Sequence, residues 1–322
     1  MRVLVIGGNR FLGVELTARL LARGDRVTLL NRGTLADPFG DRVERLVCDR
    51  TSRAFEAVGA STWDAVVDCA LFDGAQAEVT ARVLSGRVGH YVMVSTGQVY
   101  LVRQPAPEVA TERDYDGALM REPPAPGDRD DWQYGMGKRA AEDVVAQSGL
   151  PATRLRIPMV HGGRDYHRRL ESLLWRLLDG GPVLLTRPQA CCRHVYGPAV
   201  ARAIVTALDR GPLWDAVNLA QDETVTAREL VRRFAAQLGV AANVVETTDE
   251  ALAAAGLEPT KACAFNGRWM SVLDPSKAQD ALGFWHEPLD VYLHATAHAL
   301  VSRMAEPPPS MAQRAGELAF RR

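Results

Sequence analysis

Three observations predict a doubly wound α/β fold built on a parallel (Rossmann) sheet. Short continuous apolar runs recur, as in Val3–Ile6 and Ala65-Val66-Val67, and such runs belong to strands covered on both faces. Segments with apolar residues at helical spacing alternate with these runs through about residue 160. A glycine turn, Gly7-Gly8-Asn9-Arg10-Phe11-Leu12-Gly13, joins the first strand to the first helix.

Val3–Ile6 is the first strand. Val14–Arg23 follows as a helix with Val14, Leu16, Leu20 and Leu21 at its apolar positions, and Gly24 stops it. Arg26–Leu30, Val43–Cys48 and Trp63–Cys69 read as the next three strands, Ala77–Leu84 as a helix, and His90–Val94 as the fifth strand. Leu101–Asp131 breaks the rhythm. It carries Pro105, Pro107, Pro123, Pro124 and Pro126 among many charges, and reads as a mobile flap beside the functional site. Helix Tyr134–Gln147 ends at Ser148-Gly149, and Ala152–Ile157 is the sixth strand.

Beyond it, Leu170–Leu178, Ala199–Leu208, Thr226–Leu238, Asp274–Leu282 and Val291–Arg303 read as helices, and Val217–Leu219 as a short strand. Thr226 caps its helix, with Glu229 three residues on as the box partner. This pattern divides the chain into a dinucleotide-binding domain over 1–160 plus part of 190–225, and a smaller α/β substrate-binding lobe, interleaved with it, over about 161–304. The proline-led segment 305–322 has no core signal and reads as a disordered tail.

The 322 residues suffice for sizeable cores. A net charge of −1 lacks the basic footprint of a nucleic-acid binder, so no nucleic-acid partner is expected. Five cysteines, an odd number with no C-x-x-C, read as reduced thiols in a cytoplasmic protein. No apolar run approaches twenty residues, so no membrane partner is expected. A small-molecule substrate is the expected partner, and a homodimer is one assembly this reading allows.

Chemistry concentrates at Thr96, Tyr134 and Lys138. A Tyr and a Lys four apart share one helix face. The ammonium favours the phenolate and brings a pKa near 10 closer to neutrality. A hydroxyl from Thr96, at the end of an apolar strand, can share the substrate oxygen with the Tyr. That set moves a proton on and off a carbinol oxygen while a nicotinamide moves the hydride. Y-x-x-x-K alone is a weak signal. Its place after the glycine turn and the Ser95-Thr96 strand end makes it a strong one.

The glycine turn lets backbone N–H groups and a helix N-terminus meet a pyrophosphate. Gly7, Asn9, Arg10, Phe11, Leu12 and Gly13 are its expected cofactor contacts. The second strand ends in Asn31-Arg32 in place of an acid, which favours a 2′-phosphate and so NADP(H), with NAD(H) left open. Asp49, with Arg50, ends the third strand and faces adenine. Cys69, Ala70, Lys138 and Pro158 complete the expected cofactor set. Gln98, His161, Arg164 and Arg193 are candidate substrate residues, with Arg168 and Arg169 beside them as further anion contacts. His294 and His298 have a metal-ligand spacing but no third ligand, and no metal is expected.

Taken together, these residues resemble the extended short-chain dehydrogenase/reductase family, of NAD-dependent epimerase/dehydratase type, over residues 1 to about 304. The family's S-[ST]-x-x-V-Y motif is matched by Ser95-Thr96-Gly97-Gln98-Val99-Tyr100, its Y-x-x-x-K by Tyr134 and Lys138, and its L-R-x-x-x-V-x-G by Leu155-Arg156 through Gly162. Asn218-Leu219 and Asp274-Pro275-Ser276-Lys277 resemble its later landmarks. Arg10 replaces the central glycine, as in the branch resembling chloroplast stem-loop-binding proteins. Gly97-Gln98 stands where sugar 4,6-dehydratases carry Asp-Glu, so that elimination is not implied. Met159 replaces an Asn, and Arg193–Pro198 lacks the family's Asp.

The resemblance implies an NAD(P)-dependent oxidoreductase or epimerase acting on a hydroxyl or ketone of a sugar-like, nucleotide-linked or free, small molecule. In that reading Tyr134 is the acid/base, Lys138 lowers its pKa and Thr96 binds the reacting oxygen. Two alternatives stay open: an NADPH-dependent ketone reductase of a non-sugar natural-product intermediate, and a dinucleotide-sensing or RNA-associated binding protein on the same fold.

Overall fold

The computed structural model describes residues 1–321. Two compact units share the chain. The first comprises Met1–Pro158, Gly197–Ala220 and Ser271–Trp285, the second Met159–Tyr196, Gln221–Met270 and His286–Arg322.

Unit 1 holds the expected doubly wound sheet. Its strands in chain order are β1 (Arg2–Ile6), β2 (Arg26–Asn31), β3 (Glu44–Val47), β4 (Trp63–Asp68), β5 (Val88–Thr96), β6 (Ala152–Ile157) and a last strand, Ala216–Asn218. In space the order is last strand, β6, β5, β4, β1, β2, β3. Every pairing is parallel. Parallel strands need helical crossovers on both faces, and that is why β1 and β4 read as unbroken apolar runs. The chain winds outward from β1 in both directions, so the crevice beyond the ends of β1 and β4 is the switch point where ligands bind in such sheets.

Four helices of unit 1 matter for the site: α1 (Phe11–Arg23), α2 (Gly74–Leu84), the single turn α3 (Gln98–Leu101) and α4 (Pro126–Gln147). Helix α2 is capped by Asp73, whose carboxylate accepts from Gln76 N at 2.8 Å. Helix α4 starts two turns before the expected Tyr134. Pro126 sits in its first turn, where a missing N–H costs nothing, and the polar run that follows has no apolar stripe to betray a helix.

The segment 101–131 is not the loose flap its composition implied. Its middle is pinned: Asn218 Nδ2 donates to Ala110 O at 3.0 Å, and Glu112 accepts from Asn218 N at 2.6 Å. Tyr115 OH donates to Asp143 at 2.8 Å, and Arg139 donates to Tyr115 O at 2.7 Å. Ala110 is buried with Val99, Tyr100 and Leu273 in a small apolar cluster. Backbone pairing through side-chain polar groups replaces the hydrophobic periodicity the sequence lacks.

Unit 2 is built from helices Arg169–Leu178, Ala227–Gln237 and Leu289–Val301 around short two-stranded ladders. Leu173, Leu174, Leu230, Phe234, Tyr292 and Leu293 form the centre of its core. Thr226 caps its helix as expected, accepting from Glu229 N at 3.2 Å.

The segment expected as a disordered tail contains two short helical stretches. Pro309–Gln313 and Arg314–Ala319 are helical and dock through charge. Arg176, 1 % exposed, makes a fork to Glu317, 0 % exposed, at 2.8 and 2.6 Å. Arg314 adds a bond to Glu317 at 2.8 Å and pairs with Asp179 at 2.6 Å. No apolar pattern announces such an anchor, because the buried groups are ions. Removing one partner of a buried pair leaves an uncompensated charge and costs about 3–5 kcal/mol. Glu317→Ala should therefore lower the unfolding free energy by about 3 kcal/mol or more in denaturant titration, and a loss below about 1 kcal/mol would show that the C-terminal helix contributes little.

Candidate active site

Only glycine suits two positions of the turn after β1. Gly7 has φ +84°, and a Cβ on Gly13 would lie 2.5 Å from Gly7 O. The turn thereby brings its backbone against the first turn of α1. That helix has no side-chain cap at Arg10 and no acid in its first turn. Its leading N–H groups are the natural receptor for a pyrophosphate. Ile6 pairs with Asp68, so Cys69 and Ala70 stand beside Gly7, whose added Cβ would meet Ala70 Cβ at 3.1 Å. Glycine cradle and uncapped helix together fit a dinucleotide.

At the rim, Asn31 turns its Oδ1 to Gly33 N at 2.8 Å, and Asn9 donates to Leu35 O at 3.0 Å. Arg10 and Arg32 are exposed. Asp49 is also exposed. Hydrogen bonds from Thr51, at 2.7 and 2.8 Å, hold its carboxyl below the usual range, and the charge of Arg32 adds to this. Arg50 is a correction. Its guanidinium points inward and forks onto Asp68 at 2.6 and 2.7 Å, with Thr80 at 3.1 Å, so the side chain is committed to that pair. Burial opposes the Asp68 charge, but Arg50 outweighs it and keeps the carboxyl low.

The candidate reacting groups lie on adjoining elements. Thr96 is the last residue of β5, and its Oγ1 accepts from Gln98 N at 3.2 Å. Tyr134 and Lys138 stand one turn apart on α4. Lys138 Nζ is 5.8 Å from the centre of the Tyr134 ring and 5.2 Å from that of Phe72, and it donates to Val94 O at 3.0 Å. Lys138 is 3 % exposed whereas Tyr134 is open to solvent. Burial pushes the ammonium down to about 8, against the pull of Asp68, Glu142 and Cys69. Phe72 carried no sequence signal: it is a single aromatic in the loop after β4, and its ring lies 6.5 Å from that of Tyr134.

The candidate substrate residues fare unevenly. Gln98 is buried, and its amide donates to Asp131 O at 3.4 Å. In unit 2, Arg164 is exposed and Arg193 donates to Thr224 Oγ1 at 2.7 Å. Arg168 and Arg169 are paired with Glu171 and Asp165. His161 is another correction: at 1 % exposure it lies inside the unit 2 core, its ring 4.3 Å from that of His194 and packed on Phe265 and Tyr292. Its neutral imidazole acts there as an aromatic filler. No group of three or more His, Cys, Asp or Glu able to hold a metal occurs among the described residues, and no described helix is long and apolar enough to cross a membrane.

Residues 3–220 match the model of the NAD dependent epimerase/dehydratase family. The chain is 30% identical over 289 residues to 2′-dehydrokanamycin reductase of Streptomyces kanamyceticus, covering 85% of this chain and 77% of that protein. It is 26% identical over 200 residues to the chloroplast stem-loop binding protein of 41 kDa b of Arabidopsis thaliana, covering 56% of this chain and 48% of that one. The fold is shared with UDP-glucose 4-epimerase of Thermus thermophilus in its complex with NAD, at TM-score 0.70 and 22% identity over 94% of this chain and 100% of that one. The chain belongs to the NAD dependent epimerase/dehydratase family, a family of NAD-dependent enzymes.

The buried imidazoles set a pH dependence of stability. Burial pushes His194 down to about 3, His161 well below its ordinary value, and His90 of unit 1 down to about 4. The unfolded chain binds these protons near pH 6.5 and the folded chain does not, so the stability is fully present above 6.5 and is lost as pH falls. Unfolding free energy should drop between pH 6.5 and 4.5 by about 1.4 kcal/mol per pH unit for each buried imidazole that stays neutral. A flat profile across that window would show that these side chains take up protons in the folded state.

Proposed function

We propose that this protein is an NAD(P)-dependent oxidoreductase acting on a hydroxyl or ketone of a sugar-like small molecule, with ketone reduction as its net reaction. The observation that carries this reading is the buried Lys138 ammonium beside the Tyr134 ring, with the Thr96 hydroxyl on the neighbouring strand end. The likeness to a 2′-dehydrokanamycin reductase supports reduction over epimerisation.

Thr96 and Tyr134 hold the carbonyl oxygen between two hydroxyls. Tyr134 gives its phenolic proton to that oxygen as the carbon is reduced. Lys138 stabilises the phenolate left behind, since a cation nearby favours the charged form. A bound nicotinamide dinucleotide supplies the hydride. The turn after β1 and the N-terminus of α1 hold its pyrophosphate, and Arg32, with Arg10, takes the 2′-phosphate of NADP(H). The Thermus thermophilus UDP-glucose 4-epimerase that shares this fold is solved in complex with NAD, so NAD(H) is the competing cofactor.

A second reading, an RNA-associated protein on this fold, is favoured by the likeness to the stem-loop binding protein. A pure binding protein has no use for the Thr96, Tyr134 and Lys138 set, which weighs against it. One experiment separates net reduction from an epimerase-like cycle. The purified protein is denatured, released nucleotide is identified by mass spectrometry and absorbance, and NADPH oxidation is followed with 2′-dehydrokanamycin as a first trial substrate. Tightly held NAD(H) with no NADPH turnover would favour an epimerase-like cycle and reject net reduction.

Two substitutions test the assignments. Tyr134→Phe should bind NADPH normally, by fluorescence titration, and lose turnover about a hundredfold or more, because the phenol is the proton donor. Wild-type turnover in that variant would reject Tyr134 as the acid. For cofactor choice, a charge-assisted hydrogen bond contributes about 1.5–3 kcal/mol. Arg32→Asp should therefore weaken NADPH roughly ten- to a hundredfold while leaving NADH little changed. Equal NADPH and NADH affinities in the wild type would sink the 2′-phosphate role.

A further inference from the structure

Helix α4 meets strand β5 through two polar contacts set one helical turn apart. Lys138 Nζ donates to Val94 O at 3.0 Å. Four residues on, Glu142 accepts from the hydroxyl of Ser95, the next residue of the strand. Thr96 follows directly. Consecutive strand atoms are thus read by consecutive turns of the helix, which fixes α4 along β5.

Glu142 is 2 % exposed and lies in a larger polar network. Arg156, the penultimate residue of β6 and also buried, binds it through Nε at 3.0 Å and Nη2 at 2.6 Å. Arg154 Nε stands 3.8 Å away. The other face of the Arg156 fork donates to Tyr100 OH at 2.7 Å, and Tyr100 donates to Asn218 at 2.8 Å. Tyr100 and Asn218 are buried as well. The link from this network to the reacting groups runs through α4 and the Val94–Ser95 backbone.

We infer that Glu142 is a positioning residue for the Tyr134–Lys138 pair: held by Ser95 and Arg156, it locks α4 against β5 and keeps the Lys138 side chain charged beside Tyr134. This rests on the roles proposed above for Tyr134 and Lys138. The groups facing Lys138 are Asp68 and Cys69 from the end of β4, Arg50 from the loop after β3, and Glu142 and Tyr134 from its own helix. Asp68 and Glu142, each held by a buried arginine, are the two carboxylates that favour the ammonium, and Glu142 is the one that also fixes the helix.

The chain has three lysines, Lys138, Lys261 and Lys277, so ¹³C NMR of ε-labelled lysine reads Lys138 without any substrate. Lys261 and Lys277 form surface ion pairs and serve as references. In the wild type Lys138 should titrate at about 8. Glu142→Gln should lower that midpoint by about one pH unit with the reference lysines unmoved, and Glu142→Asp, which keeps the charge, should restore most of it. An unchanged midpoint in a folded Glu142→Gln protein overturns the inference, even if activity is lost. Should that variant not fold, Glu142→Gln combined with Arg156→Gln leaves no orphan charge. There the comparison is with Glu142→Asp combined with Arg156→Gln, which differs only in the carboxylate: a lower midpoint in the Gln pair supports the inference and equal midpoints overturn it. A lowered midpoint in a protein whose Tyr134→Phe variant keeps full turnover would reject the functional reading and leave the Glu142–Lys138 coupling standing.

Discussion

The ammonium of Lys138 is buried in unit 1, and much of the unit's charge is arranged around that fact. An isolated ion is costly to remove from water, and it persists only where counter-charges and hydrogen bonds meet it. Two carboxylates do so here, Asp68 and Glu142. Each is itself forked by a buried arginine, Arg50 and Arg156. Without the arginines, two bare carboxylates would lie in the core. Without the carboxylates, Lys138 would shed its proton.

The sheet topology decides where that cluster sits. Because β1 and β4 are neighbours while their crossovers run to opposite sides, the ends of these strands open a crevice that no connection covers. The glycine turn fills one lip with backbone N–H groups, and Asp68-Cys69-Ala70 forms the other. Strand β5 lies next to β4 and delivers Thr96 to the same end of the sheet. Helix α4 then lays Tyr134 and Lys138 beside it. The glycine turn and the residues proposed for proton transfer are thus brought to one end of the sheet by strand order.

The parts of this arrangement with a periodic or chiral cause were legible in the sequence. Buried strands announce themselves as apolar runs, Gly7 and Gly13 as residues the turn cannot do without, and Tyr134 and Lys138 by a spacing that only a helix makes useful. What stayed hidden was held by ions and polar atoms far apart in sequence. Arg50 looked like a cofactor contact at a strand end and is instead the partner of Asp68. His161 followed a strand near the ligand-binding end and is instead packed as a core aromatic. The C-terminal helix is anchored by Arg176 and Glu317, 141 residues apart, which no local pattern can register. One clue was present: Arg154 and Arg156 alternate with apolar residues in a central strand, and a buried charge there requires a partner.

The balance of the cluster bears on its chemistry. Among the five groups Lys138, Asp68, Glu142, Arg50 and Arg156, two acids face three bases, so one positive charge is unmatched. The arginines are too basic to give theirs up, and the cost of burial therefore tells on Lys138, whose pKa drops to about 8 against the pull of Asp68 and Glu142. A side chain in that state gains from any anion that comes within reach. The phenol of Tyr134 is the nearest group on the same helix face that can become one. An added acid beside Lys138 would relieve the imbalance and raise the lysine pKa, but it would also remove the reason for the phenol to ionise. The cluster carries one unmatched positive charge, which the phenolate proposed for Tyr134 would neutralise.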